Sequence, residues 1–282
     1  MIEFSQTDSV YNFKHVKRLK KLMADYDIVH THNTSPQLFA AMAKGSCKAK
    51  LVTTEHSTNN RRRSIWGYRS IDRWMYSRYD KIVCISDIAK EKLLEHIGNN
   101  YQQKVLTINN GVDVQRFYTA NEAPNLRFPD CFVTVMVAGF REAKDQDTLI
   151  RAISLLPAQY RLWLVGDGVR RAELESAVTS AGVGGRVSLL GIRSDVPQVL
   201  KSADVVVMSS HWEGLSLSNI EGMSSGRPFV ASDVDGLREV TKGYGVLFPH
   251  GDAEALAGVI RQLHDDKAYY DEVADKCYQR AM

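Results

Sequence analysis

Short apolar, β-branched runs recur along this chain at intervals that leave room for one helix between neighbours, and that alternation restricts the fold more than any other feature. In the second half the runs fall near 132–138, 161–165, 186–190, 204–208, 228–232 and 244–248. Strands spaced by helical patterns are the signal of a parallel, doubly wound sheet. Asp204-Val-Val-Val-Met208 and Pro228-Phe-Val-Ala-Ser232 carry no alternation of polar and apolar residues, so both read as strands buried on two faces. The first half repeats the theme, with strands at 27–33, 50–57, 80–86 and 104–108 and helical periods at 10–24, 36–43 and 87–96. Two α/β domains follow, 1–118 and 132–282, joined by a linker at 119–131 that holds Pro124 and Pro129.

Chemistry concentrates between the strands at 204–208 and 228–232. Glu213 lies just past the first of them, and Glu221 sits eight positions on, in a helix beginning near 216–218. In open parallel sheets ligands bind outside the carboxyl ends of the strands, and a helix N-terminus offers unpaired N–H groups to anions. A phosphate on the amides and a polyol on the carboxylates fit that arrangement. Ser218-x-x-Glu221 is equally a capping box, in which the glutamate closes a helix start and needs no ligand. Glu213 has no comparable structural role.

The segment from Glu213 through Glu221 to Gly222-Met-Ser-Ser-Gly-Arg-Pro228 resembles the signature of the retaining family-4 glycosyltransferases (glycosyl transferases group 1) of the GT-B fold. The resemblance spans nearly the whole chain. It implies two Rossmann-like domains facing across a cleft, an acceptor-side domain at 1–118 and a nucleotide-sugar domain at 132–282. It also implies that Glu213 binds hydroxyls of the donor sugar, that Glu221 holds the nucleotide ribose, and that the backbone of Gly214, Leu215, Ser216, Leu217 and Ser218 meets sugar and phosphate.

Other positions take roles from the same resemblance. After the strand at 132–138, the loop Gly139-Phe-Arg-Glu-Ala-Lys-Asp145 offers Lys144, whose ammonium can stabilise a departing diphosphate. Relatives pair this lysine with an arginine five residues earlier, where this chain has Gly139; Arg141 is the candidate replacement. Gly166-Asp-Gly168 is too short for a dinucleotide fingerprint and reads as a tight strand-to-helix turn. Gly191-Ile-Arg193 matches the base-contacting loop, with main-chain groups of Ile192 and Arg193 reading the nucleobase. His56, after the strand at 50–57, matches a histidine facing the transferring sugar, although a satisfied surface histidine explains it as well. For the reaction, the resemblance implies retention without an enzymic nucleophile, the donor's own phosphate oxygen taking the acceptor's proton on the same face.

Composition narrows the partners. With 282 residues, 44% apolar, 24% charged and a net charge of +3, the chain is an ordinary globular protein without the bulk charge that nucleic-acid binding favours. No apolar run approaches a membrane span and no signal peptide is visible, so the expected compartment is the cytoplasm. The four cysteines stand far apart, and no metal is expected. His30 and His32 share a strand face, but no third ligand completes a metal site. Basic residues at 14–21 read as a solvated helix face. Arg61-Arg-Arg63 beside Ile65, Trp66, Tyr68, Ile71, Trp74 and Met75 suits either buried packing or a peripheral contact with the inner face of a membrane.

Relatives begin with a further strand and Gly-rich loop, so the first domain reads as incomplete, with an edge that a homodimer could cover. The expected function is transfer of a sugar from a nucleotide-sugar donor to a saccharide or lipid-linked acceptor in surface-polysaccharide assembly, without a cofactor. Two rivals stand: a nucleotide-sugar-binding module lacking transferase activity, suggested by Gly139, and a nucleotide-sugar epimerase, which the paired glutamates fit poorly.

Overall fold

The computed structural model describes residues 12–45, 47–56, 65, 67–126, 128–213 and 217–282, and the chain divides into two compact units, Met1–Asn110 and Gly111–Met282. In the first unit β1 (Ile28–His32), β2 (Lys50–Glu55), β3 (Lys81–Cys84) and β4 (Val105–Thr107) form a parallel sheet in sequential order. Helices α1 (Lys14–Met23), α2 (Thr34–Ala43), α3 (Tyr68–Ser77) and α4 (Asp87–Ile97) alternate with the strands. Their apolar faces meet in one core around Met23, Leu51, Met75, Tyr76, Ile82 and Leu93. A side chain such as Leu51, buried completely, contributes about 1.5–3 kcal/mol of transfer free energy. Serine at the start of α4 acts as its N-cap, Ser86 Oγ accepting the Ala89 N–H at 3.2 Å.

Among the described residues β1 pairs only with β2, and Ile28 is 62% exposed at that edge. The aromatic segment around α3 divides in two. Met75 and Tyr76 enter the core, whereas Tyr68, Ile71 and Trp74 stay exposed, so packing accounts for fewer of these side chains than the sequence suggested. Arg61 to Arg63 and Trp66 lie outside the described residues.

The second unit contains β5 (Phe132–Val137), β6 (Tyr160–Val165), β7 (Val187–Gly191), β8 (Val205–Met208), β9 (Phe229–Ser232) and β10 (Val246–Phe248). These strands are parallel, in the order β10-β9-β8-β5-β6-β7. Every residue of β8 and β9 is buried, as their unbroken apolar runs require. The helices of this unit, among the described residues, are α5 (Val114–Tyr118), α6 (Gln146–Ser154), α7 (Arg171–Ser180), α8 (Val196–Ser202), α9 (Leu217–Ser224), α10 (Leu237–Thr241), α11 (Ala253–Asp265) and α12 (Lys267–Ala281).

This strand order places the site. The chain winds outward from β5 through β6 to β7, then returns to the other side of β5 to lay down β8, β9 and β10. The connections leaving β5 and β8 therefore diverge, and a crevice opens at the carboxyl ends of these two strands, the usual ligand position in doubly wound sheets.

The boundary expected at 118 moves to Asn110, and the segment 119–131 is no free linker. Phe117 of α5 enters the second core, α5 packs on α8 and α9, and the Ala123 N–H donates to Ser202 Oγ at 2.7 Å. Burial attaches this proline-marked segment to the second unit. No helix among the described residues is long and apolar enough to cross a membrane.

Candidate functional site

Three loops at the β5/β8 switch point are stitched together by main-chain bonds. The β5–α6 loop leans on the loop after β6: the Phe140 N–H donates to Asp167 O at 3.0 Å and the Arg170 N–H to Phe140 O at 3.2 Å. Gly166 and Gly168 make that approach feasible. A Cβ on Gly166, whose φ is +139°, would sit 2.1 Å from Ala138 O, and one on Gly168 would sit 2.5 Å from Phe140 O. The tight turn read from Gly166-Asp-Gly168 is thus a backbone contact that no side chain fits. On the other flank the His211 N–H donates to Ala143 O at 2.9 Å, and Ser209 Oγ donates to Asp145 O at 2.8 Å.

The consequence is that Lys144 and Glu213, far apart in sequence, meet. Lys144 Nζ donates to Glu213 Oε2, which also accepts from Ser210 Oγ at 3.2 Å. Their side chains keep 20% and 12% exposure, so the pair is reachable from solvent yet poorly screened. An ammonium beside a carboxylate at the mouth of a crevice can exchange partners: the cation is available to an incoming phosphate, and the released carboxylate to a hydroxyl.

Glu221 is the second informative carboxylate. The capping-box reading does not hold, because α9 starts at Leu217 and Ser218 lies within the helix, with no hydrogen bond between Ser218 and Glu221. Burial holds the Glu221 carboxyl above its ordinary range, with Arg116 pulling the other way. A half-buried carboxylate without a hydrogen-bond partner among the described residues has its acceptor capacity unspent. Gly214, Leu215 and Ser216 lie outside the described residues.

The loop after β7 presents Ile192, 83% exposed, and Arg193. The Arg193 guanidinium forks onto Asp195, its Nε donating to Oδ1 at 2.8 Å and one terminal nitrogen to Oδ2 at 2.5 Å. That pairing raises the arginine's pKa and depresses the aspartate's. In the loop after β5, a Cβ added at Gly139 would meet Asp167 O at 3.7 Å and Arg141 Nε at 3.9 Å, which is ordinary contact. Arg141 therefore folds its cation back toward the spot where a side chain at 139 would begin.

In the first unit the carboxyl ends of β1 and β2 assemble three imidazoles. His32 Nδ1 lies 2.9 Å from His56 Nε2, the His30 and His32 rings stand 4.4 Å apart, and His30 Nε2 pairs with Thr54 Oγ1 at 2.8 Å. Burial, then the charges of His32 and His56, depress the His30 pKa. The shared face of His30 and His32 was legible in the sequence; the arrival of His56 depends on the β1–β2 register. Glu55, placed at the ligand edge by its sequence position, instead turns into the core, where Oε1 accepts from Tyr76 Oη at 2.5 Å and Gln37 Nε2 at 2.6 Å. As the last residue of β2 its direction is fixed by the pleat, which points it inward.

Two family models match the chain, "Glycosyl transferases group 1" over residues 131–266 and "Glycosyltransferase Family 4" over residues 3–116. The chain is 30% identical over 271 residues to the uncharacterized glycosyltransferase MJ1607 of Methanocaldococcus jannaschii, covering 88% of this chain and 69% of that one. It is 27% identical over 271 residues to an Escherichia coli UDP-Gal:alpha-D-GlcNAc-diphosphoundecaprenol alpha-1,3-galactosyltransferase, covering 89% and 69%. Identity to the lipopolysaccharide core biosynthesis glycosyltransferase LpsE of Rhizobium meliloti is 31% over 202 residues, covering 71% of this chain and 58% of LpsE. Among solved structures, Anabaena Alr3699/HepE in complex with UDP and glucose superposes with a TM-score of 0.79 at 23% identity, covering 94% of this chain and 76% of that one.

Proposed function

The chain belongs to the family-4, group 1 glycosyltransferases of the GT-B fold, and from that premise we propose that it moves a sugar from a uridine diphosphate donor to a saccharide or lipid-linked saccharide acceptor. The observation that carries this reading is the Lys144–Glu213 pair at the switch point. In the proposed complex the diphosphate takes Lys144 from Glu213, and Glu213 turns to the hydroxyls of the donor sugar. Glu221 accepts from the ribose, and the main chain of Ile192 and Arg193 meets the base. Arg141 supplies a second cation toward the diphosphate, in place of the arginine that relatives carry at the position of Gly139. His56 is the proposed candidate for contact with the transferring sugar.

The choice of uridine rests on structural neighbours solved with UDP and UDP-glucose. The acceptor class rests on relatives named for a diphosphoundecaprenol substrate and for lipopolysaccharide core biosynthesis, and surface-polysaccharide assembly is the proposed setting. Transfer is proposed to proceed with retention. The acceptor oxygen bonds to the anomeric carbon on the face from which the diphosphate leaves, the carbon–oxygen bond to phosphate breaks, and a phosphate oxygen takes the acceptor's proton. The protein's share is positioning and the stabilisation of charge on the leaving diphosphate. A peripheral membrane contact is proposed through the exposed Tyr68, Ile71 and Trp74 of α3.

The test is calorimetric binding of UDP, GDP and ADP to the chain and to Lys144→Ala, followed by transfer from UDP-sugars and NMR assignment of the product anomer. The expected result is one preferred nucleotide, weakened in the variant, and a product with the donor's anomeric configuration. An inverted product would remove the retaining step. Tight nucleotide binding with no transfer to any acceptor would favour the binding-module reading, which Gly139 motivates.

A further inference from the structure

Asp145, His211 and His250 are distant in the sequence but converge at the carboxyl edge of the six-stranded sheet. They come from the N-cap of α6, the loop after β8 and the loop after β10 respectively. Their ligand-capable atoms lie within 4.8 Å of one another, and no other such group of histidine, cysteine and acidic side chains occurs among the described residues. His211 Nδ1 is 3.7 Å from Asp145 Oδ2 and 2.5 Å from His250 Nε2, with the two rings edge to face at 81°. We propose that these three side chains form a binding site for a divalent metal ion of the zinc class.

The donor set supports that class. Two imidazole nitrogens with one carboxylate oxygen suit zinc or cobalt, whereas calcium and magnesium prefer oxygen-only shells. The carboxylate is already oriented by its surroundings: Asp145 is 3% exposed, its Oδ2 accepts from Thr148 Oγ1 at 2.6 Å, and its Oδ1 accepts from the Thr148 N–H at 3.2 Å. Thr148 Oγ1 is itself held by Arg151 at 2.8 Å. Outer hydrogen bonds of this kind are what metal-binding carboxylates require. His211 is held at its backbone by Ala143 O, whereas His250 is exposed and adjustable. A tetrahedral ion with metal–nitrogen bonds of about 2.0–2.1 Å separates two imidazole nitrogens by roughly 3.3 Å, so His250 must swing out from its present 2.5 Å by less than about 1 Å. A cavity of about 780 Å³ bordered by Asp145, His211, Arg141 and Gly251 gives the ion a path and room for a coordinated water.

The site's consequence follows from its neighbours in the chain. Asp145 succeeds Lys144, and His211 precedes Glu213 by two residues. One ion would tie the β5–α6 loop to the β8–α9 loop and hold the Lys144–Glu213 pair in register. Its ligands act on the donor site by positioning. Ion binding itself does not depend on the donor reading; only this consequence does.

The experiment is calorimetric titration of chelator-treated, full-length chain with zinc chloride, alongside His250→Ala, His211→Ala and His32→Ala, each checked for folding by thermal melting. One equivalent is expected to bind, with affinity lowered at least tenfold in His250→Ala and His211→Ala and unchanged in His32→Ala. Cobalt(II) chloride should give the intense visible absorption of a four-coordinate ion in the parent and lose it in His250→Ala. A folded chain that binds no zinc overturns the proposal. So does binding that survives His250→Ala but disappears in His32→Ala, which would place the ion on the imidazoles of the first unit. Because the readout is metal affinity, failure here leaves the nucleotide-binding test of the donor site unaffected.

Discussion

Replacing Glu213 by glutamine removes one charge while preserving shape, and the structure makes its effect on two related ligands differ. In the free protein Glu213 holds Lys144, so a diphosphate must displace that carboxylate before it can use the ammonium. Two unit charges about 4 Å apart attract by about 4 kcal/mol at an effective dielectric of 20, most of it offset by desolvation. Exposed pairs retain about 0.2–1 kcal/mol and buried ones more. With side chains 20% and 12% exposed, Lys144–Glu213 falls between these limits, and about 1–2 kcal/mol is a fair net value. Glu213→Gln should therefore tighten UDP binding by about 5–30-fold, at 1.4 kcal/mol per tenfold. UDP-glucose gains the same release but loses a charged acceptor for its hydroxyls, worth about 1.5–3 kcal/mol. The ratio of UDP-glucose to UDP affinity should then fall by about 10–150-fold, a quantity from which the ion-pair term cancels. Parallel calorimetry of both ligands on both proteins measures it. Equal weakening of the two ligands would refute the reasoning, because it would make Glu213 a brace for the loop with no contact to the sugar.

Three further outcomes are expected. Glu221→Gln should raise the melting temperature at neutral pH: the folded carboxyl's raised pKa means the native state binds the proton more tightly, so stability falls as pH rises from about 4.5 through the folded value, and glutamine removes that slope. The same variant should weaken UDP; a melting-temperature difference from the parent that is constant with pH would contradict the assignment. Arg141→Ala should weaken UDP binding, while Gly139→Arg, whose Cβ meets nothing closer than 3.7 Å, should fold normally and restore binding in the Arg141→Ala background. Gly166→Ala, which forces a Cβ to within 2.1 Å of Ala138 O at a φ of +139°, should cost about 3 kcal/mol or prevent folding; chemical denaturation giving a loss under about 1 kcal/mol would show that the two loops separate freely.

Much of this architecture was open to reading because the relevant forces are local. Unbroken apolar runs such as Val205 to Met208 bury both faces of a strand, and the helix starts carry their own caps, as at Ser86, Asp252 and Asp266. The position of Glu213 just past a strand was equally visible, since only the end of β8 had to be located. Composition misled at 119–131, where prolines suggest a linker but Ala123 is buried and bonded to Ser202 and Leu126 packs against the second core. The direction of Glu55 was not legible either, because one residue of strand register decides between the ligand edge and the core.

The sequence by itself determined the strands, the helices between them, the two-unit plan and the family-4 signature, since periodicity and capping report what each segment buries and where it ends. Only the tertiary structure decided which loops meet. Laying β8 beside β5 brings Lys144 to Glu213, seating His211 against Ala143 O brings it near Asp145, and the loop after β10 adds His250. Those encounters depend on strand order and side-chain packing across distant segments, and no periodicity within a single segment encodes them.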